Sequence, residues 1–75
     1  MTVSEIRKGT EFRVLRVLRG GEVGKRLADM GFTEGAAGTV VRRGFWNGPI
    51  QVRLRGYDIL IRRSEADSVE VEPAG

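Results

Sequence analysis

Lys25-Arg26-Leu27-Ala28-Asp29-Met30-Gly31-Phe32-Thr33-Glu34-Gly35 is the one stretch of this chain that does not read as strand. Val23, Leu27 and Met30 recur at i, i+4 and i+7, one face of a helix. Gly31 stands where that helix must end, because glycine enters the left-handed backbone region at little cost. With Gly31 as the first residue past the helix cap, Phe32 follows it and Leu27 lies in the last turn. Residues in those two positions commonly touch across such a stop. The segment therefore supplies an apolar helix face, a terminator and an anchor, and the flanking sequence is expected to be β-structure gathered around it.

On the N-terminal side, Met1 to Gly9 is a polar lead-in whose Val3 and Ile6 are expected to tack it to a core. Glu11 to Leu18 reads as a strand with a slip, favoured by its β-branched and aromatic content over a helix through Phe12, Leu15 and Leu18: Phe12 and Val14 alternate, then Leu15 and Val17 alternate in the opposite phase. Such a slip marks a bulge, or a strand buried on both sides. Gly20-Gly21 breaks the chain and opens the helix, with Glu22 placed to suit its dipole. Gly24 inside a helix of about nine residues costs about 1 kcal/mol, so packing must hold that helix.

On the C-terminal side, Gly38 to Arg43 reads as the second strand and Ile50 to Arg55 as the third. Between them, Asn47-Gly48 marks a hairpin. Gly56-Tyr57 turns the chain into a fourth strand, Asp58 to Ile61. Arg63 to Asp67 reads as one helical turn that Ser64 could cap. Val69 to Glu72 is a last short strand, and Pro73-Ala74-Gly75 a frayed end. The fold class is mostly β: a small barrel of about five strands, closed so as to leave no edge, with a short helix inserted after the first strand.

The 75 residues are expected to form a single domain, 1–75. The chain holds no cysteine and no histidine, so disulfides, thiolate metal sites and the commonest general base are excluded. No apolar run approaches the roughly 20 residues that span a bilayer, and no signal-peptide core opens the chain. The expected location is cytoplasmic. Gly24-Lys25 is not a phosphate loop: Arg26 stands where Ser or Thr is required and Arg19 where the first glycine belongs. The carboxylates show no calcium-loop spacing. No catalytic residue, cofactor or metal ligand is assigned, and no enzyme activity is expected.

What could work as a surface is basic and aromatic. The net charge is +3. Arg42, Arg43, Arg53, Arg55, Arg62 and Arg63 fall on or beside the second, third and fourth strands, and Arg53 and Arg55 share a strand face by alternation. Docking to phosphate, lipid headgroups or an acidic protein competes with the plainer reading of a solvated sheet face. Phe45-Trp46 sits in a hairpin loop, either folded over the core or presented to a partner.

Taken together, Arg26-Leu27-Ala28-Asp29-Met30-Gly31-Phe32-Thr33-Glu34-Gly35, Gly48-Pro49-Ile50-Gln51-Val52, Ile59 to Ala66 and Val69-Glu70-Val71 resemble the FeoA family of bacterial ferrous iron uptake. The resemblance implies an SH3-like barrel and no enzymatic activity. It also implies an accessory or regulatory role with FeoB, the membrane transporter of ferrous iron that carries a GTP-binding domain. That would bring the protein to the inner face of the membrane through its partner. The family is often labelled as binding transition metals, and this chain has none of the histidine or cysteine such a site would use. Candidate partner-binding residues are Arg26 on the helix, Phe45 and Trp46 in the loop, and Arg53 and Arg55 on the third strand. Self-association stays open. A nucleic-acid-binding barrel, or a stand-alone relative of the SH3-like domain of metal-dependent repressors, is the alternative.

Overall fold

Alternation of apolar residues along short segments produces strands, and glycines separate them. The computed structural model describes residues 1–74. In chain order they form β1 (Glu11–Val17), α1 (Gly21–Asp29), β2 (Ala37–Arg43), β3 (Ile50–Leu54), β4 (Tyr57–Ile61), the single-turn α2 (Arg63–Ala66) and β5 (Val69–Pro73). The strands make one antiparallel sheet in the order β4-β3-β2-β1-β5. Phe12, Val14, Val40, Ile50, Val52, Leu54, Ile61, Val69 and Val71 form its buried face. Leu27, Phe32 and Ala66 close over them. The expected five strands with a helix after the first are present.

The phase slip in β1 is a bulge. Its register against β5 shifts between Val14 and Arg16, and β2 shifts likewise against β3 between Val40 and Arg42. Bulges bend and twist a strand, which curls this sheet about its core. The ladder is not closed, however. Among the described residues β4 pairs with β3 alone, so the expectation of a sheet without edges does not hold. The outer side of β5 is partly covered: Thr2 bridges Glu70, and the N–H of Val71 donates to the carbonyl of Met1 at 2.8 Å. β1, flanked by β2 and β5, is not a free edge.

α1 ends as its sequence demands. Gly31 has φ +111°. Its N–H donates to the carbonyl of Ala28, and the N–H of Phe32 donates to that of Leu27, each at 3.0 Å. This is the doubly bonded glycine stop in which the residues either side of the turn meet, and Leu27 and Phe32 are both buried. Gly24 has a purpose the sequence did not show. A Cβ there would stand 2.1 Å from the carbonyl oxygen of Arg19, so the helix lies directly on the backbone that leads into it.

The lead-in forms a 3₁₀ turn, Val3–Glu5, with Val3 and Ile6 buried. Glu5 accepts the N–H of Thr2 at 2.8 Å. Arg43 clasps the segment, donating to the carbonyls of Ser4 at 2.6 Å and Ile6 at 2.8 Å. At the other end, Pro73 belongs to β5 and the N–H of Ala74 donates to the carbonyl of Glu11 at 2.9 Å, so neither is frayed. Gly75 lies outside the described residues.

Candidate functional site

The β2–β3 connection is a tight hairpin closed by two bonds. The N–H of Gly44 donates to the carbonyl of Pro49, and that of Gly48 to the carbonyl of Phe45, each at 2.9 Å. A Cβ on Gly44 would stand 2.9 Å from the Pro49 carbonyl oxygen, so the two arms approach as only glycine allows. The turn residues are Trp46 and Asn47, at φ 55° and 62°, rather than the Asn47-Gly48 pair that the sequence suggested. Asparagine tolerates that region; a bulky tryptophan is seldom found there. Phe45 and Trp46 are 90% and 97% exposed. Of the two arrangements open from sequence, the loop adopts the presented one.

Asn47 fixes the tip to the rest of the fold. Its Oδ1 accepts from Nη1 of Arg63 at 2.9 Å, which ties the hairpin to the start of α2. Between them lies an open cleft of about 510 Å³ lined by Asn47, Gly48, Pro49, Arg62, Arg63 and Ser64. On the outer face of the sheet beside it, Arg42, Gln51 and Leu60 stand in one cross-strand row.

The other residues expected at a surface site are engaged elsewhere. Arg26 pairs with Glu65 at 2.8 Å, and Glu65 is almost wholly buried. The second oxygen of Glu65 accepts the N–H of Arg62 at 2.8 Å, so this carboxylate, not Ser64, caps α2. Arg26 thus bolts α1 to α2. Arg53 lies on the outer sheet face in a two-pronged pair with Asp58, at 2.7 and 3.1 Å, and Gln51 adds a bond to the same carboxylate. The hydrogen bonds and charge of Arg53 hold the Asp58 carboxyl below its ordinary range, and Asp58 in turn raises the guanidinium.

Arg55 does not share that face. β3 ends at Leu54, and Arg55-Gly56 are the two turn residues of the β3–β4 hairpin, at φ 53° and 84°. The Arg55 side chain donates to Thr33 Oγ1 at 3.0 Å. Arg53 and Arg55 therefore do not form a joint basic patch, and they sit toward the end of β3 remote from the Phe45-Trp46 tip. The structure instead sets Arg62 and Arg63 beside that tip. No local signal links Asn47 to Arg63, sixteen positions apart. The paired Arg62-Arg63 dipeptide was legible, but its neighbour was not.

The FeoA domain family matches residues 1–73. The chain belongs to the FeoA family. It is similar to a fusion of Fe(2+) transport protein A with the Fe(2+) transporter FeoB from Porphyromonas gingivalis, at 35% identity over 72 residues. That match takes in 96% of this chain and only 8% of the fusion protein. The FeoA protein of Chlorobium tepidum has a solution structure that superposes with a TM-score of 0.91 at 32% identity, covering 100% of this chain and 71% of that one. The Stenotrophomonas maltophilia FeoA, described as a prokaryotic SH3 domain protein and crystallised with zinc, gives 0.86 at 29% identity, covering 96% and 89%. The SH3-like FeoA architecture is thus shared, and the family is one of ferrous iron transport.

This FeoA chain has neither histidine nor cysteine, the usual transition-metal donors. Asp58, Glu65 and Glu70 are held by Arg53, Arg26 and Arg16. Among the described residues no three carboxylates converge. No helix among them is long and apolar enough to cross a membrane.

Proposed function

We propose that this protein is an accessory subunit of ferrous iron uptake that acts by docking on a FeoB-type, GTP-binding transporter at the inner face of the membrane. It works by contact, with no reaction and no resident metal of its own. The observation that carries this is covalent: in Porphyromonas gingivalis a relative of this domain is joined in one chain to FeoB. Fusion raises the effective concentration of two modules and is productive where they engage each other.

The docking end is the β2–β3 tip. Trp46 occupies a backbone conformation that costs of order 1–2 kcal/mol, yet the residue is 97% exposed, so no core packing offsets that cost. Exposed tryptophan is a favoured interface anchor. Arg26, Arg53 and Arg55 contribute by holding the fold that presents the tip.

The test is co-purification of detergent-solubilised FeoB with this chain in the apo, GTP-analogue and GDP states. Wild type is expected to be retained in at least one state, and a folded Trp46→Ala variant to be lost. No retention of wild type in any state would rule the proposal out. Equal retention of Trp46→Ala would move the interface elsewhere.

A further inference from the structure

Charge at the tip is one-sided. Among the described residues, none of Arg42, Arg62 and Arg63 lies within ion-pairing distance of a carboxylate, and Arg63 is engaged only by the neutral amide of Asn47. Glu65, two positions beyond Arg63, is buried and taken up by Arg26 and the Arg62 N–H. Asp58, two positions before Leu60, is held by Arg53. The apolar groups nearby are left bare: Leu60 is 63% exposed, beside the near-complete exposure of Phe45 and Trp46. Guanidiniums without counter-ions beside exposed apolar side chains complement a segment that is both acidic and apolar.

We infer that the cleft between Asn47-Pro49 and Arg62-Ser64 receives an acidic, extended segment of a protein partner, with carboxylates on Arg62 and Arg63 and an apolar side chain against Trp46. This rests on the docking proposal and adds the chemistry of the segment docked. An anionic lipid surface is the competing ligand for arginines beside aromatics. The site is an open cleft rather than a flat face, however, and the Asn47–Arg63 bond links its two sides. A cleft admits a chain segment where a flat bilayer would meet chiefly the tip.

Trp46 is the only tryptophan in the chain and precedes Asn47 at the cleft wall, so its fluorescence reports a segment that packs against it. The probes are hexaglutamate, hexaglutamate extended by one leucine, hexalysine, and vesicles of phosphatidylglycerol or of phosphatidylcholine. The two acidic peptides are expected to give a saturable change that weakens as salt rises, the leucine-bearing one binding more tightly, while hexalysine gives none. Arg62→Glu/Arg63→Glu should weaken the response about tenfold or more. Its fold is checked by circular dichroism, and Arg42→Glu is a second variant outside the helix cap.

Two outcomes overturn the inference: no saturable change with either acidic peptide, or a change with phosphatidylglycerol vesicles alone. FeoB co-purification keeps the two claims apart. If FeoB retains wild type and both charge-reversed variants equally, and excess hexaglutamate does not compete, the acidic segment is refuted while docking stands. If FeoB retains nothing, docking itself has failed.

Discussion

The Cα of Gly24 lies so close to the carbonyl of Arg19 that a Cβ would stand 2.1 Å from its oxygen. Alanine is the better helix former by about 1 kcal/mol, and a helical glycine with room around it would ordinarily be improved by it. Here the obstacle is backbone, which cannot rotate away. Gly24→Ala is therefore expected to destabilise by about 1–3 kcal/mol, the range for forced overpacking. Urea denaturation followed by circular dichroism measures it, and a rise in midpoint would show that the loop before α1 yields freely.

Gly31 and Gly35 separate two glycine costs. Both have positive φ, at +111° and +85°, but a Cβ on Gly31 would also meet Leu54 Cδ2 at 3.0 Å, whereas Gly35 faces open space. Gly35→Ala should cost about 1–2 kcal/mol from conformation alone. Gly31→Ala should cost more, since it adds a contact and disturbs the stop that seats Phe32. The comparison is made from two denaturation midpoints, and equal losses would mean that Leu54 repacks.

Arg26 and Glu65 behave as a unit. Glu65 is buried and serves both the Arg62 N–H and the Arg26 guanidinium, while Arg26 is half exposed. Arg26→Ala leaves the cap but strips a buried carboxylate of its cation, at a cost of about 1–2 kcal/mol, reduced from fully buried pairs by solvent at Arg26. Glu65→Ala loses pair and cap together and should cost more. A double-mutant cycle that shows no coupling would place the pair outside the stability of the fold.

The Arg53–Asp58 pair makes stability depend on acid pH. Arg53 holds the folded-state pKa of Asp58 below its unfolded value, which is about 3.9. Stability from this source is therefore complete above the unfolded value and lost as pH falls through the folded one. A carboxyl-carbon NMR titration should place the Asp58 midpoint below that of an ordinary aspartate, and Arg53→Gln should return it upward. Both groups are open to solvent, so added salt should shrink the effect. An unchanged midpoint in Arg53→Gln would assign the shift to another source.

Much of the architecture was legible because it rests on local pattern. Leu27, Gly31 and Phe32 announced the helix stop, and the slip between Val14 and Leu15 announced the bulge. What escaped depended on contacts remote in sequence or on residues used against type. Trp46 and Arg55 occupy turn positions with positive φ that sequence rules reserve for Asn, Asp and Gly, so both hairpin turns were displaced by one residue. Glu65 reads as a solvated charge and is buried, because Arg26 reaches it from the other helix. Gly24 read as a defect, since nothing in the sequence places Arg19 against it. The two aromatics and the Arg62-Arg63 pair were evident, but their meeting was not, because Arg63 reaches Asn47 only after the sheet has formed.

Among the described residues β4 has a neighbour on one side only, which grades the molecule in time as well as in space. Because Leu54 and Tyr57 flank a two-residue turn, they exchange hydrogen bonds, and the N–H groups of Asp58 and Leu60 therefore point away from β3. Those amides are open to solvent from the start. Val14, buried in β1 with its N–H on the carbonyl of Ala36 at 2.8 Å, lies two strands further in than β3. Hydrogen exchange should run from β4 inward, Val14 among the last to yield. The border that opens most readily is the one continuous with Arg62 and Arg63. The proposed docking end of the domain is thus also the end expected to breathe first.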